Sequence, residues 1–165
     1  MGFRETNIRD IKTSAVELIS DRWMLITAGN ETGFNTMTAS WGGVGELWKK
    51  DVVFTFIRPQ RYTFEFMEKS DYFTLCFFDG YKKELALCGA KSGREIDKVK
   101  ECGFTPVSDS GVYFEEASLV LICKKLAYQD MDPKGFLDPS IMDNYTAGDF
   151  HRTYVGEILK VLVKE

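Results

Sequence analysis

Seven consecutive residues form the first segment whose side chains could do chemistry. They are Asn35, Thr36, Met37, Thr38, Ala39, Ser40 and Trp41. On a strand, Thr36, Thr38 and Ser40 share one face, and the other four residues share the opposite face. A row of small hydroxyls supplies donors and acceptors without bulk, which suits a flat polar ligand lying against a sheet. The alternative is a row of Thr and Ser that faces solvent, a common feature of antiparallel sheets.

The second segment runs from Arg58 to Thr63 and includes Arg61 and Tyr62. Its two arginines flank a turn fixed by Pro59, and Thr63 is predicted as the N-cap of a short helix. A helix N-terminus offers free N–H groups and the positive end of the helix dipole. Together with two guanidinium groups, these N–H groups would bind a phosphate dianion. The alternative is a solvated turn whose arginines form surface ion pairs.

A third segment carries Ser92 and Gly93 in a loop that leads into a helix predicted over 94–102. On one side of that helix, at positions i, i+3 and i+4, stand Arg94, Asp97 and Lys98. The simpler interpretation is a charged helix face in contact with solvent. By itself this segment therefore indicates no function.

His151, the only histidine, is the fourth candidate. One imidazole without neighbouring cysteines does not make a transition-metal site, so no metal is expected. The chain lacks the Gly-x-Ser-x-Gly motif that would supply a nucleophile for a Ser-His-Asp triad of the α/β-hydrolase type. It also lacks a Gly-x-Gly-x-x-Gly fingerprint and a P-loop, which argues against the Rossmann and NTPase classes. The simplest interpretation is a partly buried imidazole with satisfied hydrogen bonds.

The elements that must position these residues are mostly strands. We predict strands over 23–28, 34–41, 52–57, 72–78, 112–114, 119–128 and 154–163, and helices over 63–69, 82–88 and 94–102. Gly103 is the expected C-cap of the last helix, whereas Gly42, Gly43 and Gly45 are expected to loosen the backbone. Long crossover helices do not alternate with the strands, so a doubly wound parallel sheet fits poorly. The predicted fold class is mainly β, with about six antiparallel strands in a barrel and short helices around it.

Composition narrows the classes of function. The chain has 165 residues, enough for one domain over 1–165, and a net charge of −4 that gives no case for nucleic acid or an anionic membrane. No signal segment or membrane-length apolar run occurs, and four widely spaced cysteines suit reduced thiols. We therefore expect a cytoplasmic protein. Aromatic residues make up 14%, and five are predicted in the barrel core: Phe54, Phe56, Phe73, Phe77 and Phe78.

Taken together and in order, the four segments resemble the flavin reductase-like FMN-binding split-barrel family, and most closely its flavoredoxin branch. The resemblance covers about Ser14 to Val163, nearly the whole chain. It implies a six-stranded antiparallel split β-barrel with short flanking helices. It also implies a homodimer that holds FMN near the subunit interface.

The same resemblance implies a role for each segment. Asn35 to Trp41 would line the flavin ring and ribityl chain. The phosphate end would be met by Arg58, Arg61, Tyr62 and Thr63. Ser92, Gly93 and Lys98 would close over the site, and His151 would approach the ring. A cation at Lys98 would also favour the negatively charged reduced flavin.

One departure from the family bears on function. Many NAD(P)H:flavin reductases of this family have an adjacent Asp-His pair near the last strand, whereas Phe150 here separates Asp149 from His151. This favours an electron carrier that exchanges electrons with a redox protein partner. The first alternative is an FMN reductase that uses NADH or NADPH, with room for nicotinamide beside Gly42, Gly43 and Gly45. The second is an FMN-binding sensor without redox function.

Overall fold

The computed structural model describes residues 2–165, which contain ten strands and three α-helices. The strands are β1 (Phe3–Thr6), β2 (Met24–Asn30), β3 (Gly33–Ala39), β4 (Gly42–Leu47), β5 (Lys50–Ile57), β6 (Tyr72–Phe77), β7 (Pro106–Ser108), β8 (Val112–Phe114), β9 (Leu119–Asp130) and β10 (Arg152–Lys164). The helices are α1 (Tyr62–Lys69), α2 (Lys82–Ala90) and α3 (Lys98–Cys102). The fold is mainly β, as predicted. No helix within residues 2–165 combines the length and apolar character needed to cross a bilayer.

Eight strands form one antiparallel sheet in the order β3-β2-β6-β9-β10-β5-β4, with β1 paired to β10. Strands β3 and β4 are consecutive in the chain, yet they lie at opposite ends of this order. The sheet therefore has the form of a split barrel, and Ser40 and Trp41 connect its two edges. Strands β7 and β8 form a separate two-stranded sheet.

The central strands are buried on both faces, which explains their nearly continuous apolar sequences. Along β9, Leu119, Leu121 and Cys123 pack in one hydrophobic cluster, and Val120 and Ile122 pack in another. The first cluster also includes Met67 of α1. The second is completed by residues of α2 and β8. The helices therefore cover a sheet that already has a core on each side.

The structure corrects several predicted elements. Residues 42–47, expected as loosened backbone, form β4, because Gly42 allows that strand to lie close to its neighbours. A Cβ atom at Gly42 would stand 3.0 Å from the Phe54 carbonyl oxygen and 3.1 Å from Cε of Met24. The predicted first strand loses Trp23, whose φ of 69° is incompatible with extended structure. Strand β1 was missed, since only one of its four residues, Phe3, is apolar.

Two helix predictions were wrong at their N-termini. Helix α1 has Arg61 as its N-cap, so Thr63 lies inside the first turn. Helix α3 begins only at Lys98, after the Asp97 side chain accepts a hydrogen bond from the Lys100 N–H. The predicted charged helix face over 94–98 therefore does not exist. The C-cap at Gly103 is confirmed, with a left-handed φ of 68°.

The core prediction also needs one correction. Phe73, Phe77 and Phe78 are buried, as expected. Phe54 and Phe56 are only half-buried. Both rings stand on β5, the neighbour of the edge strand β4, and Phe56 lines a cavity there.

Candidate functional site

Two small cavities meet at the split of the barrel, and each has a volume of about 150 Å³. The first, here called the His151 cavity, is lined by Met37, Thr38, Ala39, Ser40, Trp41, Phe56, Arg58, Arg61 and His151. The second, the Lys98 cavity, is lined by Asn35, Gln60, Arg61, Tyr62, Thr63, Gly89, Ala90, Lys91, Ser92, Gly93 and Lys98. Arg61 lines both. The four sequence segments thus converge, and of the predicted site residues only Thr36 lies outside these two cavities.

His151 is held at the wall of its cavity by aromatic neighbours. Its ring lies 5.4 Å from the Trp41 ring and 6.3 Å from the Phe56 ring, centroid to centroid. The Tyr145 hydroxyl is 2.7 Å from Nδ1. Burial, with a smaller contribution from the nearby Arg58 charge, lowers the pKa of His151 to about 4. The imidazole is therefore neutral at physiological pH.

Arg58 borders the same cavity, but its guanidinium group already bonds to other residues of the protein. Its Nη1 donates to Oδ2 of Asp149 at 2.6 Å, and its Nη2 donates to the Asn144 carbonyl oxygen at 2.9 Å. The guanidinium also lies over the Tyr145 ring, 4.9 Å from its centroid. A hydrogen bond from Gln60 and the pairing with Arg58 keep the pKa of Asp149 below its ordinary value. Arg58 thus fixes the 144–149 loop against the barrel.

Lys98 is the most unusual charged residue of the site, because it is only 5% exposed. Its Nζ donates to the carbonyl oxygens of Thr36, at 2.7 Å, and Cys88, at 2.8 Å. Burial lowers the pKa of Lys98 to about 8. No carboxylate within residues 2–165 forms an ion pair with this ammonium group. Neutral carbonyl groups hold a buried cation in place without cancelling its charge.

Arg61 is a second cation without a carboxylate partner in residues 2–165. It is half-buried, and its Nη1 donates to the Gly89 carbonyl oxygen at 3.2 Å. Burial, and secondarily the charge of Arg58, lower the pKa of Arg61, and the charge of Arg61 in turn contributes to the lowered pKa of Lys98. Arg61 and Lys98 donate to the carbonyl oxygens of two adjacent residues, Gly89 and Cys88. Two neighbouring cations without carboxylate partners repel each other, so an anion between them would be stabilised.

A polar wall separates the Lys98 cavity from a larger open cleft of about 640 Å³. In this wall Asn35 is buried and its Nδ2 donates to Oγ1 of Thr63 at 2.8 Å. Gly93 packs directly against it: a Cβ atom there would stand 2.0 Å from Oδ1 of Asn35 and 3.1 Å from Cδ1 of Tyr62. Only glycine allows the 92–93 loop to approach β3 this closely.

The predicted hydroxyl row on β3 is used differently from either interpretation of the sequence. Thr36 is buried, and its Oγ1 lies 2.9 Å from Oγ1 of Thr27 on the adjacent strand. Oγ1 of Thr38 donates to the Leu85 carbonyl oxygen of α2. Only Ser40 is exposed, and it lies just beyond the end of β3, which stops at Ala39 and not at residue 41 as predicted. Two of the three hydroxyls therefore join elements of the barrel to one another.

Sequence reasoning missed one supporting residue, Tyr145, and five lining residues: Phe56, Gln60, Gly89, Ala90 and Lys91. Gln60 lay within the quoted turn, and its amide was the available signal. Phe56 looked like an ordinary core residue of a strong strand. Gly89 acts through its backbone carbonyl and Tyr145 acts from a loop-rich region, so neither has a signature in the sequence.

Comparisons with known proteins point to the family that the sequence resembles. A profile of the family described as flavin reductase like domain matches residues 17–165. None of the curated proteins searched matches the chain.

Several solved structures share the fold. A flavoredoxin of Desulfovibrio vulgaris aligns with a TM-score of 0.69 at 18% identity, over 98% of this chain and 78% of the other. An FMN-binding domain of a flavin reductases-like enzyme from Shewanella baltica aligns with a TM-score of 0.69 at 16% identity, over 98% and 76%. An NADH:FAD oxidoreductase from Streptomyces globisporus, in complex with NAD and FAD fragments, gives 0.63 at 13% identity, over 86% and 74%. At these identities the likeness concerns the fold.

Proposed function

This chain belongs to the flavin reductase-like domain family, and from that premise we propose that it binds FMN and carries electrons in the manner of a flavoredoxin. The observation that carries the proposal is the pair of cations at the Lys98 cavity, Arg61 and Lys98, whose charges are not matched by carboxylates of residues 2–165. Burying a cation is unfavourable unless it is paired. An anionic ligand would complete this site.

The chemistry of the Lys98 cavity suits the phosphate of FMN. Besides the two cations, the first turn of α1 lines the cavity at Tyr62 and Thr63. The first N–H groups of a helix have no intrahelical acceptor, and they favour anions. Ser92 adds a hydroxyl in the same cavity. These groups would hold the phosphate, while Asn35 and Gly93 fix the wall behind it.

The His151 cavity suits the aromatic part of the cofactor. The Trp41 and Phe56 rings provide apolar surface, and the neutral His151 provides one N–H donor without adding charge. The two cavities share Arg61 and together reach the lower end of the roughly 300–1,000 Å³ typical of small-molecule sites. When bound, FMN supplies reversible electron transfer. The residues of the chain bind it, orient it and exclude water from one side.

A binding experiment with two flavins tests the proposal. The purified protein is titrated with FMN and with riboflavin, which lacks the phosphate, and flavin fluorescence is recorded. We expect FMN to bind with micromolar or lower Kd and riboflavin to bind at least ten times more weakly. The absence of FMN binding would refute the proposal, and equal affinities would refute the assignment of the phosphate to the Lys98 cavity.

One observation favours NAD(P)H-dependent FMN reduction as the second candidate. A groove of about 630 Å³ adjoins the His151 cavity and shares Ser40, Trp41 and Phe56 with it. Gly42 and Gly43 line this groove, so a planar nicotinamide would meet little obstruction there. Anaerobic stopped-flow absorbance at the flavin band distinguishes the candidates. Bleaching of bound FMN by NADH or NADPH alone would establish the reductase, and no bleaching would favour the carrier.

The same reagents test the third candidate function, an FMN-binding sensor without a redox role. FMN that cycles reversibly between oxidised and reduced forms with a cellular reductant would argue against the sensor. FMN that binds tightly but is reduced by neither pyridine nucleotides nor reduced carrier proteins would support it.

A further inference from the structure

Two cysteines distant in sequence meet behind the Lys98 cavity. Sγ of Cys88 on α2 lies 3.6 Å from Sγ of Cys102, the last residue of α3. Both thiols are free. The other two cysteines, Cys76 and Cys123, are fully buried in different hydrophobic clusters. Among the four, only Cys88 and Cys102 form a pair that bond rotation could join.

The short helix α3 brings the thiols together. Asp97 caps its start and Gly103 ends it in the left-handed conformation, which places Cys102 at the end of a single tight turn. Sγ of Cys102 also lies 3.7 Å from the Glu84 carbonyl oxygen of α2. Cys88 is buried and Cys102 is half-buried. An external reagent would therefore reach Cys102 first.

The pair is directly connected to the two cations of the candidate site. The Cys88 carbonyl oxygen accepts a hydrogen bond from Nζ of Lys98, and the next carbonyl, that of Gly89, accepts from Arg61. The chain between the two cysteines carries Ser92, Gly93 and Lys98. A covalent bond between the cysteines would thus close the loop that holds one side of the Lys98 cavity.

We propose that Cys88 and Cys102 form a reversible disulfide that clamps the 88–102 loop over the Lys98 cavity. The oxidant class is a low-molecular-weight disulfide. The Cys102 thiolate attacks one sulfur of that disulfide, forms a mixed disulfide and releases the first small thiol. The Cys88 sulfur then attacks Sγ of Cys102 and releases the second, with the Cys88 proton passing to the departing thiolate. Two protein thiols lose two electrons and two protons, and the small disulfide gains them.

The geometry requires a modest movement. A disulfide needs an S–S distance of about 2.05 Å, so the sulfurs must approach by roughly 1.5 Å through rotation of both side chains. Burial raises the pKa of both thiols, that of Cys88 to about 12. The charged groups that act on Cys102 besides Cys88 are Glu84, Glu101 and Lys98. Oxidation is therefore slow at neutral pH and accelerates as pH rises, because the thiolate is the nucleophile.

Thiol counting tests bond formation. The protein is incubated with oxidised glutathione at pH 8.5, denatured, and its thiols are titrated. We expect the count to fall from the four of the reduced chain to two, without retained glutathione, and dithiothreitol to restore it. Peptide mapping should link Cys88 to Cys102. A count that stays at four, or a stable glutathione adduct on Cys102, would overturn the proposal.

Two further measurements test the clamp. Closing a loop of about 15 residues is expected to raise the thermal midpoint by about 6 °C or more. Amide hydrogen exchange over 91–97 should slow in the oxidised form, and Cys102→Ser should show neither effect. Unchanged exchange in a protein with the disulfide formed would overturn the clamp.

The effect on FMN rests on the proposed function. Pre-ordering the loop is expected to lower the Kd for FMN about two- to tenfold in the oxidised protein. Absence of FMN binding in both redox forms would refute the proposed function, whereas thiol count and hydrogen exchange would still decide the disulfide. Equal Kd values in the two forms would refute the coupling between them.

Discussion

The Tyr145 hydroxyl and Nδ1 of His151 are 2.7 Å apart, in a contact buried on both sides. The hydroxyl also lies 3.3 Å from Sδ of Met131. An imidazole nitrogen is a stronger acceptor than a thioether, so we expect the phenol hydroxyl to donate to Nδ1 rather than to Sδ of Met131. His151 then carries its own proton on Nε2. Within residues 2–165 Nε2 has no hydrogen-bond partner and is not fully buried, so it is accessible from the His151 cavity.

This relationship makes Tyr145 a positioning residue for His151. Tyr145→Phe keeps the ring that packs against Arg58 but removes the hydroxyl. We expect ¹⁵N NMR to show the Nε2–H form of the imidazole in the wild type, with a mixture of both neutral forms in the variant. A single Nε2–H form in both proteins would contradict the assignment. Tyr128→Phe, which alters an exposed phenol on β9, is the matched control.

The folding stability should fall as the pH decreases, because the buried neutral ring of His151 resists protonation. Its pKa is about 4 in the folded chain, below the ordinary 6.5, so the unfolded state binds more protons between those values. Folding stability contributed by the neutral ring is complete above about pH 6.5 and is lost as pH falls toward 4. The loss should reach about 3 kcal/mol. Urea unfolding of wild type and His151→Gln at pH 7 and pH 4 measures it, and equal losses in the two proteins would contradict it.

Arg61 should discriminate flavins by their phosphate. A charge-assisted hydrogen bond contributes about 1.5–3 kcal/mol, so Arg61→Ala should weaken FMN binding roughly 10- to 100-fold. Riboflavin affinity should change by less than a factor of about three. Fluorescence titration of both flavins gives the ratio. Arg9→Ala, which removes an exposed surface arginine, is the control and should leave both affinities unchanged.

Gly93 should tolerate no side chain. In Gly93→Ala the new methyl group would overlap Oδ1 of Asn35 and force the wall of the Lys98 cavity apart. Such overpacking costs about 1–3 kcal/mol. We expect lower unfolding free energy and weaker FMN binding together. Gly135→Ala has open space around the added atom and should change neither quantity. Wild-type behaviour of Gly93→Ala would show that the loop moves freely.

Removing the hydroxyl group of Thr55 should stabilise the fold. It is fully buried on β5, and its Oγ1 is the one buried side-chain polar atom of residues 2–165 without a hydrogen-bond partner. Thr55→Val removes that unsatisfied group while keeping the shape, which should stabilise the fold by about 1 kcal/mol. Thr27→Val is the matched control and should destabilise, because it breaks the bond to Thr36. Destabilisation by Thr55→Val would indicate a bound water at this site.

Much of the fold was accessible from local sequence. Strands such as β5 and β6 are dense in β-branched and aromatic residues. Such strands can be predicted from the local sequence without knowing which strands pair with them. The four candidate segments were also visible, because arginine, lysine, histidine and glycine beside turns are chemically distinctive. The antiparallel class followed from short connections between successive strands.

What the tertiary structure decided were the distances between groups. Lys98 looked like part of a solvated helix face, yet the fold buries its ammonium group between the carbonyls of β3 and α2. Cys88 and Cys102 looked unrelated until α3 turned back against α2. Arg58 looked equivalent to Arg61, but only Arg58 meets a carboxylate. Residue types determine what chemistry is available, whereas burial and pairing depend on contacts between distant segments, which only the folded chain brings together.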